Sequence, residues 1–202
     1  MPQPAPFFAS ADLPVLTADE MRAWDSSSIQ RTGIPERVLM ETAARAAASV
    51  VQRLAPAGRV VVAVGSGNNG GDALVLARTM AAWGRDVLAV QVGSRMPDDA
   101  LLHGWSVPVV AAEGAAEAFR EAAVIVDGLL GTGATGAPRE AYAAAIRAMN
   151  DAGRPVVALD GPSGVDLSTG AAPGEAVRAA VTVTFGAPKR GLLLFPGRTH
   201  AG

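Results

Sequence analysis

The sequence predicts an α/β protein: a mainly parallel, doubly wound sheet in a three-layer α/β/α sandwich. Three observations carry that prediction. Short apolar runs rich in β-branched residues alternate with longer helical patterns. Those runs lack strict polar alternation, as strands covered on both faces do. Four of them stop in glycine-rich or polar sequence, where open parallel sheets bind their ligands. A chain of 202 residues suits one sizeable domain. Residues 1–14 read as an arm and 15–202 as that domain.

The first helix opens at Thr17-Ala18-Asp19-Glu20, a capping box, and spaces Met21, Trp24 and Ile29 for one face. Thr32-Gly33 breaks it. Pro35 suits the first turn of a second helix, whose apolar face is expected from Val38, Leu39, Ala43, Ala46 and Val50. The run Arg59–Val64 is the opening strand. A glycine-rich turn follows, then a helix over Ala73–Trp83 closed by Gly84. Further strands are expected at Asp86–Val92, Val107–Ala111, Ala123–Val126, Pro155–Leu159 and Ala180–Phe185. Helices are expected at Met96–Asp99 onward, Ala115–Glu121 and Pro138–Asp151. Trp24, Trp83 and Trp105 are expected in the core. His103 and His200 belong to no motif and read as surface or ordinary packing, and Glu41 reads as a solvated helix face.

Composition narrows the function. Half the residues are apolar but 4% aromatic, so the core is built from Val, Leu, Ala and Ile. A net charge of −2 offers no basic face for nucleic acid. The absence of cysteine excludes disulfides, thiolate metal sites and cysteine nucleophiles. No apolar run approaches the ~20 residues of a membrane span. The opening MPQPAPFFASADLP lacks the basic and apolar regions of a secretory signal, which makes cytoplasmic residence the expectation. Sixteen arginines stand against a single lysine, Lys189, a position where a compact ammonium is favoured over a fork.

The four strand ends are VGSGNNGGD, VDGLLGTGATGAPR, LDGPSGVDLSTG and FGAPKRGLLL. The first delivers a strand into a glycine-rich turn at a helix N-terminus, a place for an anion. Asn68, Asn69 and Asp72 add oxygens for a cation or a sugar hydroxyl. Each residue also has a plainer role: turn geometry for the two Asn, helix capping for Asp72, a turn at Asp127, an N-cap at Asp160 or Ser163. Convergence of four such ends on one sheet edge favours a site containing Asn68, Asn69, Asp72, Asp127, Thr132, Thr135, Asp160, Ser163 and Lys189. Lys189 is left to pair with Asp160, to meet a ligand phosphate, or to lie on the surface. The loops match neither a G-x-G-x-x-G fingerprint, a P-loop nor G-x-S-x-G.

In that order and spacing, these motifs, with TADEMRAWD and Val38-Leu39-Met40-Glu41, resemble the YjeF N-terminal domain family, the NAD(P)H-hydrate (NAD(P)HX) epimerases. The resemblance spans about Leu16 to Gly202. It implies a Rossmann-like fold, usually dimeric, that interconverts the R and S forms of NADHX and NADPHX. A dehydratase, fused or separate, then restores NAD(P)H. It implies one potassium ion per subunit on Asn69, Asp127 and Ser163. It places substrate on Asn68, Asn69, Gly70, Gly71 and Asp72, on Gly131, Thr132, Gly133, Ala134, Thr135, Gly136 and Ala137, and on Asp160. Asp160 is the expected general acid/base at C6 of the hydrated ring. Lost catalysis, leaving a nucleotide- or protein-binding scaffold, is the alternative. The chain departs from the family pattern at Thr42, Ala44, Ala73 and Gly161, the last expected to loosen its loop.

Overall fold

The structure, a computed structural model, describes residues 13–94 and 100–202. Six parallel strands form one sheet: β1 (Val60–Val64), β2 (Val87–Gln91), β3 (Val109–Ala111), β4 (Val124–Gly128), β5 (Val156–Leu159) and β6 (Val181–Val183). Their spatial order is β3-β2-β1-β4-β5-β6. The helices are α1 (Ala18–Thr32), α2 (Glu36–Leu54), α3 (Asn68–Ala82), α4 (Ala115–Glu121) and α5 (Glu140–Asp151). Residues 1–12, most of the expected arm, and the helix start expected at 96–99 lie outside the described residues.

β1 shows why strict alternation is missing from the sequence. All five of its residues are buried. Val60, Val62 and Val64 join a core with Ala44 and Val51 of α2 and with Leu76 and Met80 of α3. Val61 and Ala63 join another with Phe119 of α4 and Ile146 and Met149 of α5. Successive side chains point to opposite faces, and both faces are covered by helices. This is the expected three-layer sandwich.

Local signals place the element ends. The Thr17 hydroxyl accepts from the Glu20 N–H at 3.2 Å, and Glu20 Oε2 accepts from the Thr17 N–H at 2.8 Å, completing the capping box of α1. Gly33, at φ +70°, ends that helix in the left-handed region.

Several expectations need correction. The buried stripe of α2 is Ala44, Ala47, Ala48 and Val51, while Val38 is 49% exposed. The real stripe follows the same i, i+3, i+4, i+7 spacing, but an alanine-rich helix offers several such stripes. Trp24, Trp83 and Trp105 are each close to half exposed rather than in the core. Glu41 is not simply solvated: it accepts from Arg37 and Arg78. Most consequentially, α3 begins at Asn68 rather than Ala73. The stretch Asn68–Asp72 is the first turn of the helix, not a loop before it. Low helix propensity of Asn and Gly hides this start, and contact explains it: a Cβ on Gly70 would lie 2.0 Å from the Gly65 carbonyl oxygen.

Candidate functional site

The strand order reverses between β1 and β4, so their C-terminal ends flank the crevice where such sheets take ligands. α3 presses closely on this edge. A Cβ on Gly128 would lie 2.4 Å from Ala73 Cβ, so alanine at 73 and glycine at 128 together set the spacing of helix and strand. The main chain is equally tight beside it, since a Cβ on Gly65 would lie 1.9 Å from the Leu129 carbonyl oxygen.

Asp127, near the end of β4, stands in register between Ala63 of β1 and Ala158 of β5. It is fully buried. Its Oδ2 accepts from the Ser163 N–H at 2.8 Å. Its Oδ1 accepts from the Ser163 hydroxyl at 2.6 Å and the Leu129 N–H at 3.2 Å. Ser163 Oγ in turn accepts from the Leu130 N–H at 2.9 Å. Burial pushes the Asp127 carboxyl up to about 6, against the opposing pull of the bonds from Ser163 and Leu129. Asp127 and Ser163 thus buckle the loops after β4 and β5 together.

Asn69 enters the same place from α3. Its Nδ2 donates to the carbonyls of Leu130 at 2.8 Å and Leu159 at 3.1 Å. Those two acceptors fix which end of the amide is nitrogen. Among the described residues, Asn69 Oδ1 is the buried side-chain polar atom left with no hydrogen-bond partner. Leaving such an acceptor unmet costs about 1–3 kcal/mol, so it calls for an ordered water, a donor or a cation to meet it. Asn69, Asp127 and Ser163 therefore meet around Leu130.

Asp160 follows β5 in the left-handed region, at φ +64°. Asp, with Asn, is among the few residues besides glycine that enter this region, because its short polar side chain can bond locally; Asp160 is the one described non-glycine residue that does so. The Asp160 N–H donates to the Val183 carbonyl at 2.8 Å. Its carboxylate is ion-paired with the Lys189 ammonium. Lys189 also donates to Thr184 Oγ1 at 3.0 Å and to the Phe185 carbonyl at 2.5 Å. Its three protons are spent inside the protein, and its side chain is 1% exposed. Of the three readings the sequence left open, the Asp160 partner is the one realised; Lys189 is neither a surface residue nor turned to a ligand phosphate. Gly161 does not loosen this loop, because Leu167 fills the space where its Cβ would stand.

The remaining candidates sit at the rim. Asn68 donates to Glu36 Oε1 at the start of α2 at 2.6 Å. Gly70, Gly71 and the half-buried Asp72 continue the first turns of α3. Gly131 packs on Asn69, with its Cβ position 3.2 Å from Asn69 Cβ. Thr132 and Ala134 are partly buried, while Gly133, Thr135, Gly136 and Ala137 form the open part of the loop before α5.

The sequence reading missed a contribution from α1. The Ala18 N–H donates to Ser168 Oγ at 2.9 Å, Arg22 donates to the Thr132 carbonyl, and Met21 lies against Gly186. The helix therefore lies over the ends of the strands, and Asp25 is in electrostatic reach of Asp160 and Lys189. The available signal was spacing: Asp25 follows Met21 by four residues and Arg22 by three, on the same face.

Comparison with known proteins gives the family and the fold. The family model described as YjeF-related protein N-terminus matches residues 36–191. The NAD(P)H-hydrate epimerase of Limosilactobacillus fermentum is 38% identical over 195 residues, covering 93% of this chain and 92% of that protein. The bifunctional NAD(P)H-hydrate repair enzyme Nnr of Pyrobaculum aerophilum is 41% identical over 200 residues. That match covers 93% of this chain, which spans 40% of the length of that enzyme. The crystal structure of the yeast protein YNL200c superposes with a TM-score of 0.80 at 25% identity, covering 93% of this chain and 86% of that one.

Proposed function

The chain belongs to the YjeF-related N-terminal family, and from that premise we propose that it epimerises the R and S forms of NADHX and NADPHX, returning damaged nicotinamide cofactor to use. The observation that carries the reading is Asp160: a partly exposed carboxylate at the sheet edge, held in the left-handed region and anchored by a buried lysine, beside the glycine-rich ends of β1 and β4.

The chemistry needs one proton-moving group. At C6 the hydroxyl and the ring nitrogen share a carbon. The Asp160 carboxyl gives its proton to the hydroxyl oxygen, the C6–O bond breaks, and water leaves. The nitrogen lone pair forms the C6=N bond of a planar iminium. Water then adds to either face, and Asp160 takes back the proton. No hydride is transferred and the water lost is regained, so no redox cofactor enters the balance. Asn68 and the first turn of α3 line one wall, and the Gly131–Ala137 loop with the start of α5 receives the pyrophosphate.

A potassium ion fits the inner cluster. The unmet Asn69 Oδ1, the Asp127 carboxylate and the Ser163 hydroxyl are hard oxygen donors. Among the described residues no group of three or more His, Cys, Asp or Glu is arranged to hold a metal ion, the pattern a transition metal favours. Bound there, potassium would supply positive charge beside a buried carboxylate and stiffen the loops.

The protein is further proposed to act in the cytoplasm as a homodimer beside an NAD(P)HX dehydratase. The bifunctional relatives support the dehydratase link. The exposed Trp24, Ile34 and Val38 of the α1–α2 region support a second copy. None of the described helices is long and apolar enough to cross a membrane.

The test is chromatographic. Purified protein in potassium buffer should bring pure R-NADHX to the R/S equilibrium, and Asp160→Asn should slow this by about 10²–10⁴-fold while keeping the fold. A folded wild type that binds the nucleotide without interconverting it would instead make the protein a scaffold.

A further inference from the structure

The pyrophosphate of a nicotinamide dinucleotide is a dianion, and the mouth that receives it is short of positive charge. Asp160, Asp72 and Glu36 stand at or beside it as acidic groups. The Lys189 ammonium is buried and holds Asp160, Thr184 and Phe185, so it turns no donor outward. The start of α5 supplies only the partial charge of a helix end. A full cation reaches the mouth from α1. The Arg22 guanidinium donates through Nη1 to the Thr132 carbonyl and through Nη2 to Asp19, one turn earlier on the helix. Thr132 is the second residue of a turn that the Ala134 N–H closes on the Gly131 carbonyl at 3.0 Å. Gly131, its neighbour, packs on Asn69 of the inner cluster. The fork is therefore fixed on the loop between β4 and α5, next to the residue that touches that cluster.

Resting on the epimerase reading, we propose that Arg22 binds the pyrophosphate of the substrate. A guanidinium has five N–H donors; the bonds to Thr132 and Asp19 use two, which leaves three for phosphate oxygens. Its planar fork meets two oxygens of a phosphate at once, which a lysine does not. Asp19 is a weak competitor: its side chain is 83% exposed, and an ion pair in that position is worth little against solvent. The Thr132 carbonyl holds the side chain in place beforehand, so less rotamer freedom is lost when the ligand arrives. Arg22 is not needed to hold α1. The Ala18 N–H on Ser168 and Met21 against Gly186 fix the helix without it, and the Thr17–Glu20 capping box fixes its start. The pyrophosphate keeps its charge while the C6–O bond breaks, so the contact is equally strong before and during the reaction. It serves affinity and leaves the proton transfer to Asp160.

Two variants test the proposal. Arg22→Gln removes the charge and keeps an amide that can still reach Thr132; Arg22→Lys keeps the charge and loses the fork. Both should keep the fold, since the side chain is close to half exposed. Titration calorimetry with ADP-ribose, which carries the pyrophosphate without the nicotinamide, should show Kd raised about tenfold or more in Arg22→Gln, and by less in Arg22→Lys. Added salt should weaken ADP-ribose binding by the wild type more than by Arg22→Gln. Adenosine, which lacks the pyrophosphate, should bind all three proteins alike. In turnover, KM for R-NADHX should rise by a similar factor with kcat within about twofold. ADP-ribose binding does not depend on turnover, so it separates the contact from the activity. A wild type that binds ADP-ribose through Arg22 and leaves R-NADHX unchanged would end the epimerase reading and keep the pyrophosphate contact. An unchanged Kd in Arg22→Gln, an equal loss of adenosine binding, or no ADP-ribose binding by the folded wild type would overturn the proposal.

Discussion

Replacing Lys189 by Met tests how the sheet edge is held. The lysine is fully buried and lies in three bonds, to Asp160, Thr184 and Phe185. Methionine keeps most of the volume and none of the donors. Asp160 is left as an unpaired carboxylate whose side chain is 13% exposed, and two further acceptors lose their donor. Breaking a buried pair from one side costs about 3–5 kcal/mol. For a chain of this size that lowers Tm by roughly 6–20 °C. Urea denaturation of Lys189→Met, Asp160→Asn and the double variant gives the coupling directly. The double variant should be more stable than the sum of the single losses by about 1–3 kcal/mol, since neither partner is then stranded. Additive losses, or a cost below about 1 kcal/mol for Lys189→Met, would make the pair no more than a surface contact.

Other outcomes follow from the inner cluster and its supports. Gly70→Ala should destabilise the protein by about 3 kcal/mol in urea melts, because its Cβ meets backbone at 2.0 Å rather than a side chain that can turn away. Ser163→Ala removes the hydroxyl that donates to Asp127 at 2.6 Å; a loss of about 1.5–3 kcal/mol is expected in the same assay. Exchanging choline for potassium at ten times its dissociation constant should stabilise the wild type by about 1.4 kcal/mol in thermal melts, and Asn69→Ala should abolish that increment.

The sheet was legible because its evidence is local. Val60–Val64, Val124–Val126 and Val156–Leu159 are apolar runs of strand length, each ended by a change of chemistry. The four polar strand ends were legible for the same reason. The topology then brought Asn69, Asp127 and Ser163 together, though they lie up to ninety-four residues apart in sequence. What the sequence hid depends on contacts it does not encode locally. The first turn of α3 is helical despite two Asn and two Gly, because Gly70 must pass close to Gly65. The stripe of α2 was misplaced because alanine marks no face. The reach of α1 over the strand ends comes from long-range contacts with Thr132, Ser168 and Gly186, none of which has a local signature. Lys189 could be read three ways, and only the packing around Asp160 chose among them.

By this route the C6 hydroxyl leaves as water, and water returns to either face of a planar iminium. Turnover of R-NADHX in water enriched in oxygen-18, followed by chromatography and mass spectrometry, tests it most directly. The S form should appear two mass units heavier, at the rate of epimerisation, and both should fall together in Asp160→Asn. An S form that retains its original oxygen, or no S form beyond the uncatalysed background with folded protein and potassium present, would rule this route out.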